Sequence, residues 1–355
     1  MSALDQLMQD VNKKFKCKMM MTGLPTYAGG KKIPFSSMRL NYMTYGGIPR
    51  GSLVEFFGEE GGGKSTTALD VVANAQRIFA AEAKKTKREP KKILWIDAEG
   101  QLKEDWAAVL GVDVQKLNYF RPELLAAEDI LETANSAVNT GEVGLLVIDS
   151  IGGLMSRKEM EGTVEDKQFC GIADQMRKFV NKVRPVLIKN GCACICINQL
   201  RDNVGAQFPS TKTPGGRSYK HALDLRLQFQ KGVLLAGDGS EQKQSFDVPA
   251  GHQVMVSIAK TRVCRPNRRT GFYTLNYTYG VDNISDLVDL CLKIGFITKS
   301  GAWFELVNGK TGEVLDDGKG GTLKLQGRAV VLKYLRDNKK VYEEMKKNAE
   351  EKISE

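Results

Sequence analysis

Histidine is scarce in this sequence, since its 355 residues include only His221 and His252. So few histidines argue against a histidine-based metal site or a Ser-His-Asp triad. The seven cysteines are odd in number and form no C-x-x-C pair, which fits the reducing cytoplasm rather than a disulfide framework. Cys192, Cys194 and Cys196 alternate along one apolar segment and would share one face of a strand. A metal cluster is the alternative there; we interpret the three as small side chains of a core.

The sequence also contains no apolar run long enough to cross a bilayer, and its first residues, MSALDQLMQDVNKKFK, include no signal-peptide core. We therefore expect no membrane association and a cytoplasmic protein, in the host cytoplasm if the chain is phage-encoded. Hydrophobic residues make up 42% and charged residues 26% of the chain, an ordinary globular composition. The formal net charge of +10 favours a polyanionic partner through long-range attraction.

One segment carries a specific chemical signature, G-x-x-x-x-G-K-[ST], which is the pattern of a phosphate-binding loop (P-loop). An apolar run from Ser52 to Phe57 precedes it, and apolar residues at helical spacing follow from Lys64 to Phe79. A strand before the glycine loop and a helix after it are the context that the motif requires. The predicted nucleotide-binding residues of this segment are Gly58, Glu59, Glu60, Gly61, Gly62, Gly63, Lys64, Ser65 and Thr66.

The residue types of this loop suit ATP and Mg²⁺. Gly61, Gly62 and Gly63 have no Cβ, so the backbone can approach phosphate oxygens, and the N–H groups that open the helix face the anion. Lys64 would reach the β- and γ-phosphates, and Ser65 would bind Mg²⁺. The alternative is a glycine-rich turn in which the Lys-Ser pair is incidental.

Apolar strands alternate with helical segments, which predicts an α/β domain on a mostly parallel sheet. Three polar side chains follow strands, at the edge where such sheets bind ligands. Asp149, after GLLVI, has the form of a Walker B acid that holds Mg²⁺. Glu99, after ILWID, could orient the attacking water, and chain order places its strand beside the P-loop strand. Gln199 ends the next strand and could contact a γ-phosphate oxygen. The alternatives are a surface carboxylate for Glu99 and a polar strand cap for Gln199.

Two polar loops are candidates for nucleic-acid binding. Residues 201–217 (RDNVGAQFPSTKTPGGR) are too long for an ordinary connection and place cations around Phe208. Residues 161–170 precede a helix on the same side of the sheet and include Val164 and Phe169. Proteins that bind single-stranded nucleic acid combine cations with apolar or aromatic side chains. We take DNA binding by these loops as the hypothesis and solvated loops as the alternative.

A further group of cations follows a strand near residue 260. It could be a nucleic-acid face, a donor of an arginine finger or a solvated edge, and spacing does not choose among these. Its members are Lys260, Arg262, Arg265, Arg268 and Arg269.

The pattern divides the chain into three parts. Residues 1–33 combine a helix that has an apolar stripe with a linker, residues 34–280 form the nucleotide-binding core, and residues 281–355 form a small C-terminal domain. Within the core, we expect one helix to begin near Pro122 and another to end or be interrupted near Pro185.

Taken together, these motifs resemble the RecA family of homologous-recombination ATPases. The resemblance runs in order from about Leu4 to about Asp337. The segments that carry it are GSLVEFFGEEGGGKSTTALDVVANAQ, IDAEG, VIDS, EMEG, INQLR, PGG, LVDLCLKIGFI and SGAWF. The resemblance implies a RecA-type core with an N-terminal helical arm and a small α+β C-terminal domain.

The same resemblance implies roles for the nucleotide-site residues. Glu99 is similar to the catalytic glutamate, and Asp149 to the Mg²⁺ acid. Gln199 is similar to the γ-phosphate sensor that couples the nucleotide to the DNA loops. Trp106 falls where the family stacks an aromatic side chain on adenine. The two cations that the family extends to the neighbouring protomer's phosphates correspond to Lys260 and Arg262.

The resemblance also implies DNA contacts in both loops and a filament built through the N-terminal helix. The residues carried over to DNA binding are Gly162, Val164, Phe169, Arg201, Val204, Phe208, Gly215, Gly216 and Arg217. The helix from Ala3 to Phe15 is similar to the one that docks on the adjacent protomer. The implied partners are single-stranded DNA, double-stranded DNA during exchange, and further copies of the chain.

Several positions depart from the family pattern and indicate a divergent, phage-like member. Lys103 stands where bacterial members carry an acid near adenine, and His221 replaces an aromatic residue. The second loop is one residue shorter. The chain ends EEKISE without the family's acidic tail, from which we expect less restrained loading on DNA.

The function expected from this sequence is a DNA-dependent ATPase that forms a filament and catalyses strand exchange. Two alternatives stay open. One is a hexameric motor of the helicase type with the same core, and the other is a filament that acts mainly as a signalling platform for repressor self-cleavage.

Overall fold

The computed structural model describes residues 2–14, 20, 22, 30–163, 171–202, 211–236, 241–242, 248–309, 311–316 and 321–354. Four residues predicted to contact DNA lie outside this part of the chain: Val164, Phe169, Val204 and Phe208.

Helices cover both faces of a central sheet and form much of the C-terminal region. They are α1 Ala3–Lys14, α2 Met38–Thr44, α3 Lys64–Thr86, α4 Glu104–Val109, α5 Ala127–Asn139, α6 Arg157–Glu161, α7 Gly171–Asn190, α8 Gly216–Ala222, α9 Asn283–Ile294, α10 Arg328–Asp337 and α11 Lys339–Ser354.

In the described part of the chain, the strands form one large sheet and three small ones. They are β1 Lys32–Ile33, β2 Ile48–Pro49, β3 Leu53–Gly58, β4 Lys92–Asp97, β5 Leu117–Phe120, β6 Val143–Asp149, β7 Ala193–Gln199, β8 Arg201–Asp202, β9 Thr211–Lys212, β10 Leu225–Leu235, β11 Gly251–Thr261, β12 Thr270–Asn276, β13 Gly280–Val281, β14 Ile297–Ser300, β15 Trp303–Leu306 and β16 Lys324–Gln326.

Within the described residues, the central sheet has nine strands in the order β13-β12-β11-β10-β3-β7-β6-β4-β5. The neighbours from β10 to β5 pair in parallel, and β10 to β13 pair antiparallel. The central strand β3 is buried along its whole length, as expected for a parallel strand covered on both faces. The predicted α/β class with a mostly parallel sheet is therefore confirmed.

Each face of the sheet has its own apolar core. Val71 and Val72 of α3 pack with Trp95 and Phe56 on one face. The other core packs α5 and α7 onto the sheet, and all three cysteines at positions 192, 194 and 196 are buried in it. These cysteines therefore serve as small core side chains.

The strand order corrects one expectation. The strand that precedes Glu99, β4, is not the neighbour of the P-loop strand, because β6 and β7 lie between β4 and β3. Chain order misled here because crossover helices let consecutive strands of a parallel sheet pair with distant partners.

Two helix boundaries also differ from expectation. Pro122 lies outside α5, which begins at Ala127. Pro185 lies inside α7, and the helix continues to Asn190. The side chain of Pro185 is exposed, so the carbonyl that loses its N–H partner can be hydrated instead.

The C-terminal residues form a third apolar core around α9, β14–β16, α10 and α11, which Met38 of α2 joins. Ser37 donates a hydrogen bond to Asp286 at 2.8 Å and so ties the start of α2 to α9. The boundaries 1–33, 34–280 and 281–355 stay predictions. No helix among the described residues combines the length and apolarity needed to cross a membrane.

Candidate functional site

The P-loop connects the carboxyl end of β3 to the start of α3. Gly63 precedes α3 with φ of 89°, a left-handed conformation that favours glycine. A Cβ at Gly63 would lie 2.9 Å from a methyl group of Val254, and one at Gly58 would collide with the carbonyl of Phe229. The loop is therefore packed closely between β3, β10 and β11, and glycine is required at both ends.

The Lys64 side chain is largely buried in the curve of this loop. Its Nζ donates hydrogen bonds to the carbonyl oxygens of Gly58 at 3.2 Å and Glu59 at 2.6 Å. Burial lowers the pKa of Lys64, and the negative charges of Asp149 and Glu99 oppose that shift. The ammonium group thus lies beside the helix start where a phosphate would bind.

The three predicted strand-end residues converge. Gln199 Nε2 donates to Glu99 Oε1 at 3.1 Å, although β4 and β7 are separated by β6. The Ser150 hydroxyl also donates to Glu99 Oε1. The carboxylate is thus held from two sides, by the end of β7 and by the turn after β6.

Asp149 ends β6 in contact with the start of α3. Burial raises the pKa of its carboxyl to about 6, a hydrogen bond with Ser65 opposes the shift, and the charges of Glu99 and Asp97 add to it. A hydroxyl and a carboxylate are both oxygen ligands, so Ser65 and Asp149 together fit Mg²⁺.

These groups surround a cavity of about 580 Å³ at the carboxyl edge of the parallel strands. The predicted residues that line it are Glu60, Gly61, Gly63, Lys64, Ser65, Thr66, Glu99, Trp106, Asp149 and Gln199. Trp106 Nε1 donates to the Thr66 hydroxyl at 3.3 Å, which places the indole beside the first turn of α3. The cavity also reaches His252 of β11 and Tyr277, whose hydroxyl lies 2.9 Å from His252 Nδ1.

Lys260 and Arg262 do not line this cavity in the described part of the chain. Lys260 of β11 pairs with Arg226 of β10, and Arg226 pairs in turn with Glu55 of β3. The P-loop begins further along β3, at Gly58, the carboxyl end of the strand. Lys260 is thus level with the middle of β3 and Arg262 lies nearer its amino end, so neither is at the carboxyl edge where the cavity lies.

Lys260 is engaged where it stands. Its Nζ donates to the carbonyl oxygens of Lys220 at 2.8 Å and His221 at 2.7 Å, at the end of α8. Arg268, another member of the basic group, stacks 3.9 Å from the Tyr42 ring centre and donates to the Ile353 carbonyl at 3.1 Å. Arg268 therefore joins the core to the C-terminal region rather than forming a free cationic face.

The described ends of the second loop are anchored near the cavity. Arg201 and Asp202 pair antiparallel with Lys212 and Thr211. Arg201 also donates to the Gly152 carbonyl at 2.9 Å, in the turn that follows Ser150.

The closing glycines of this loop are packed tightly. Gly215 has φ of 98°, and a Cβ there would lie 2.8 Å from Tyr219. A Cβ at Gly216 would lie 2.9 Å from Ala173. Arg217 is exposed in the first turn of α8. At the first loop, Gly162 is exposed directly after α6.

A family model, the RecA N-terminal domain, matches residues 2–282 of this chain. The chain belongs to the RecA family. Curated relatives agree, since Protein RecA of Aquifex pyrophilus is 31% identical over 354 residues, covering 99% of this chain and 92% of its own length. Protein RecA of Frankia casuarinae is 32% identical with the same coverage. The family assigned from the motifs is confirmed, and it supports a role in recombination.

A solved structure of the RadB recombinase is also similar to this RecA-family chain. It is 16% identical, has a TM-score of 0.47, and covers 68% of this chain and 95% of the other. The likeness is weaker than the sequence matches and adds nothing to the family assignment.

Sequence reasoning assigned no role to four residues of this candidate site. Ser150 follows Asp149 directly and could have been found from its place in VIDS. Asp97 accepts hydrogen bonds from backbone N–H groups of the loop that carries Glu99. Because Asp side chains often bond the N–H groups of a following turn, this role could have been predicted from the sequence. His252 and Tyr277 lie on and after antiparallel strands far along the chain, and no local pattern points from them to the P-loop.

Proposed function

We propose that this RecA-family protein is a DNA-dependent ATPase that forms helical filaments on single-stranded DNA and catalyses homologous pairing and strand exchange with duplex DNA. The observation that carries the proposal is the contact between Glu99 and Gln199 at the P-loop cavity. Gln199 lies two residues before Arg201, where the proposed DNA loop begins. A change at the nucleotide can therefore reach the DNA loop through two residues of backbone.

ATP would bind with its triphosphate along the P-loop. The N–H groups at the start of α3 and the Lys64 ammonium would contact the phosphates, while Ser65 and Asp149 would hold Mg²⁺. Mg²⁺, when bound, neutralises phosphate charge and orients the γ-phosphate for in-line attack. The nucleoside would lie beside the aromatic side chains that line the cavity, Trp106, His252 and Tyr277, since aromatic walls suit a planar base.

Glu99 would orient the attacking water. Its carboxylate already receives hydrogen bonds from Ser150 and Gln199, which hold it in one place. When a γ-phosphate is present, Gln199 would exchange its bond to Glu99 for a bond to the phosphate. That exchange would shift the end of β7 and the beginning of the second loop.

The second half of the site would come from the next protomer. Lys260 and Arg262 lie away from their own cavity, so they are suited to the nucleotide of a neighbour. In α1, Leu4 and Leu7 are 59% and 51% exposed, an apolar stripe that docking on an adjacent copy would bury. ATP binding and filament growth would then be one coupled event.

DNA contacts by the two loops should be mostly to the backbone. Binding would then tolerate any sequence and weaken steeply with salt, because phosphate neutralisation releases counterions.

The test combines electron microscopy with a strand-exchange assay. The protein is mixed with single-stranded DNA, Mg²⁺ and either ATP or a non-hydrolysable analogue. Extended helical filaments together with exchange of a homologous duplex strand support the proposal. Closed rings with unwinding activity would instead indicate a helicase-type motor. Filaments that stimulate repressor cleavage but exchange no strands would indicate a signalling platform.

A further inference from the structure

A buried ion pair lies beneath the end of the second loop and takes no part in the nucleotide chemistry described above. Glu55, in the middle of β3, is fully buried. Its Oε2 accepts a hydrogen bond from Arg226 Nε at 2.5 Å, and its Oε1 accepts one from Asn198 Nδ2 at 2.9 Å. A buried carboxylate carries a desolvation cost of roughly several kcal/mol, which these two hydrogen bonds offset.

Three adjacent strands bring these side chains together. In the sheet, β3 pairs with β7 on one side and with β10 on the other, and Glu55 is directly opposite Arg226. Phe56 and Ile197 face the core under α3, so Glu55 and Asn198 face the opposite side, toward α7 and α8. The cluster is therefore built into the most rigid part of the sheet.

The cluster reaches out to the end of the loop. Asn198 Nδ2 also donates to the Pro214 carbonyl at 3.1 Å, and Arg226 Nη2 donates to the Thr213 hydroxyl at 3.3 Å. Thr213 is only 5% exposed. The Arg226 guanidinium also lies 4.4 Å from the centre of the Phe57 ring, which restricts its rotation. Two consecutive loop residues are thus tied to β7 and β10, and Glu55 of β3 joins the two side chains that hold them.

The start of the loop is held differently. Arg201 is exposed, and its described side-chain contact is the single bond to the Gly152 carbonyl. Its strand partners Thr211 and Lys212 are exposed as well. Exposed contacts contribute less than buried charge-assisted ones, so the start of the loop can shift more easily than its end.

We propose that Glu55, Asn198 and Arg226 are positioning residues that fix the end of the second loop on the sheet, so that the nucleotide state moves the loop only from its Arg201 side. Asn198 and Gln199 are consecutive, and alternation along β7 directs one to the anchor and the other to Glu99. One strand end therefore carries both the fixed and the movable connection. This inference rests on the proposed function, because it assumes that the loop binds DNA in response to ATP.

The test measures the affinity for fluorescent single-stranded DNA by anisotropy, with and without a non-hydrolysable ATP analogue. The ratio of the two affinities reports coupling. In Glu55→Gln and Thr213→Val, this ratio should fall about tenfold, the effect expected from losing one hydrogen bond with a charged partner. The affinity for ATP without DNA should stay unchanged, because neither residue lines the nucleotide cavity.

Thr298→Val is the matched control, since it makes the same substitution at an exposed strand position outside the proposed DNA-binding loops and should leave the ratio as in the wild type. Thr213→Val lies at the edge of the cluster and serves if Glu55→Gln does not fold. A wild-type ratio in a folded Thr213→Val or Glu55→Gln protein would overturn the inference. So would an equal loss of ATP affinity, which would indicate general damage. A wild-type protein without any ATP-dependent DNA binding would instead refute the proposed function.

Discussion

Replacing Asp97 by asparagine should slow ATP hydrolysis. Asp97 does not line the cavity at the P-loop, but it borders an adjoining cavity together with Ser65, Glu99 and Asp149. Its Oδ1 accepts N–H bonds from Gly100 at 2.7 Å and Gln101 at 3.3 Å, and its Oδ2 accepts from Leu102 at 3.0 Å. The carboxylate thus closes the loop that carries Glu99. Asparagine keeps one acceptor oxygen and places an NH₂ group against an N–H that needs an acceptor.

The size of the effect follows from these bonds. Losing one charge-assisted bond and weakening a second should reduce the free energy of unfolding by about 2–3 kcal/mol. Glu99 lies two residues after Asp97, and a displacement of about 1 Å at a reacting group lowers the rate about a hundredfold. We therefore expect kcat to fall about a hundredfold, while the affinity for ATP changes little because the P-loop is intact.

The assay is single-stranded-DNA-dependent ATP hydrolysis at saturating Mg²⁺, with urea unfolding in parallel. The Asp97 charge helps to raise the pKa of Asp149, the proposed Mg²⁺ ligand, so its removal could also change Mg²⁺ binding. Saturating Mg²⁺ keeps that effect out of the measured kcat. Tyr119→Phe is the control, since the Tyr119 hydroxyl donates to the same carboxylate at 2.9 Å but holds no part of the loop backbone. Its kcat should stay close to that of the wild type. A folded Asp97→Asn protein with wild-type kcat would refute the reasoning.

Three further predictions concern the residues that the sequence singled out. Lys64→Ala should abolish ATP-supported strand exchange, and exchange that persisted would show that the phosphate site lies elsewhere. Glu99→Gln should bind ATP and DNA but stall in single-turnover hydrolysis, because the amide is a poor base for water; normal turnover would remove Glu99 from that role. Arg262→Ala should lose the DNA stimulation of the ATPase while a lone protomer still binds nucleotide in equilibrium titration, and full stimulation would exclude action on a neighbour.

The P-loop and the polar residues at the strand ends could be predicted because their signals are local. Residues 58–66 are contiguous with the strand and helix that they join, so the motif, its neighbours and its place at the sheet edge follow from a short stretch of chain. Asp149 and Gln199 follow from the same logic, since each ends an apolar run. Pro185 shows the limit of such signals, because exposure on α7 lets the helix continue past it.

Local pattern was enough to predict the α/β class, which the structure confirms, and to propose the phosphate loop and the chemistry at the strand ends, since each depends on residues close together in the chain. Strand order came only from packing, and it places β6 and β7 between Glu99 and the P-loop strand while still bringing Glu99 to Gln199. Packing also brings His252 and Tyr277 into the cavity, places Lys260 away from it, and joins Glu55 to the end of the proposed DNA loop. These contacts span long separations, because a sheet pairs strands according to the cores that cover its faces and not according to their order in the sequence.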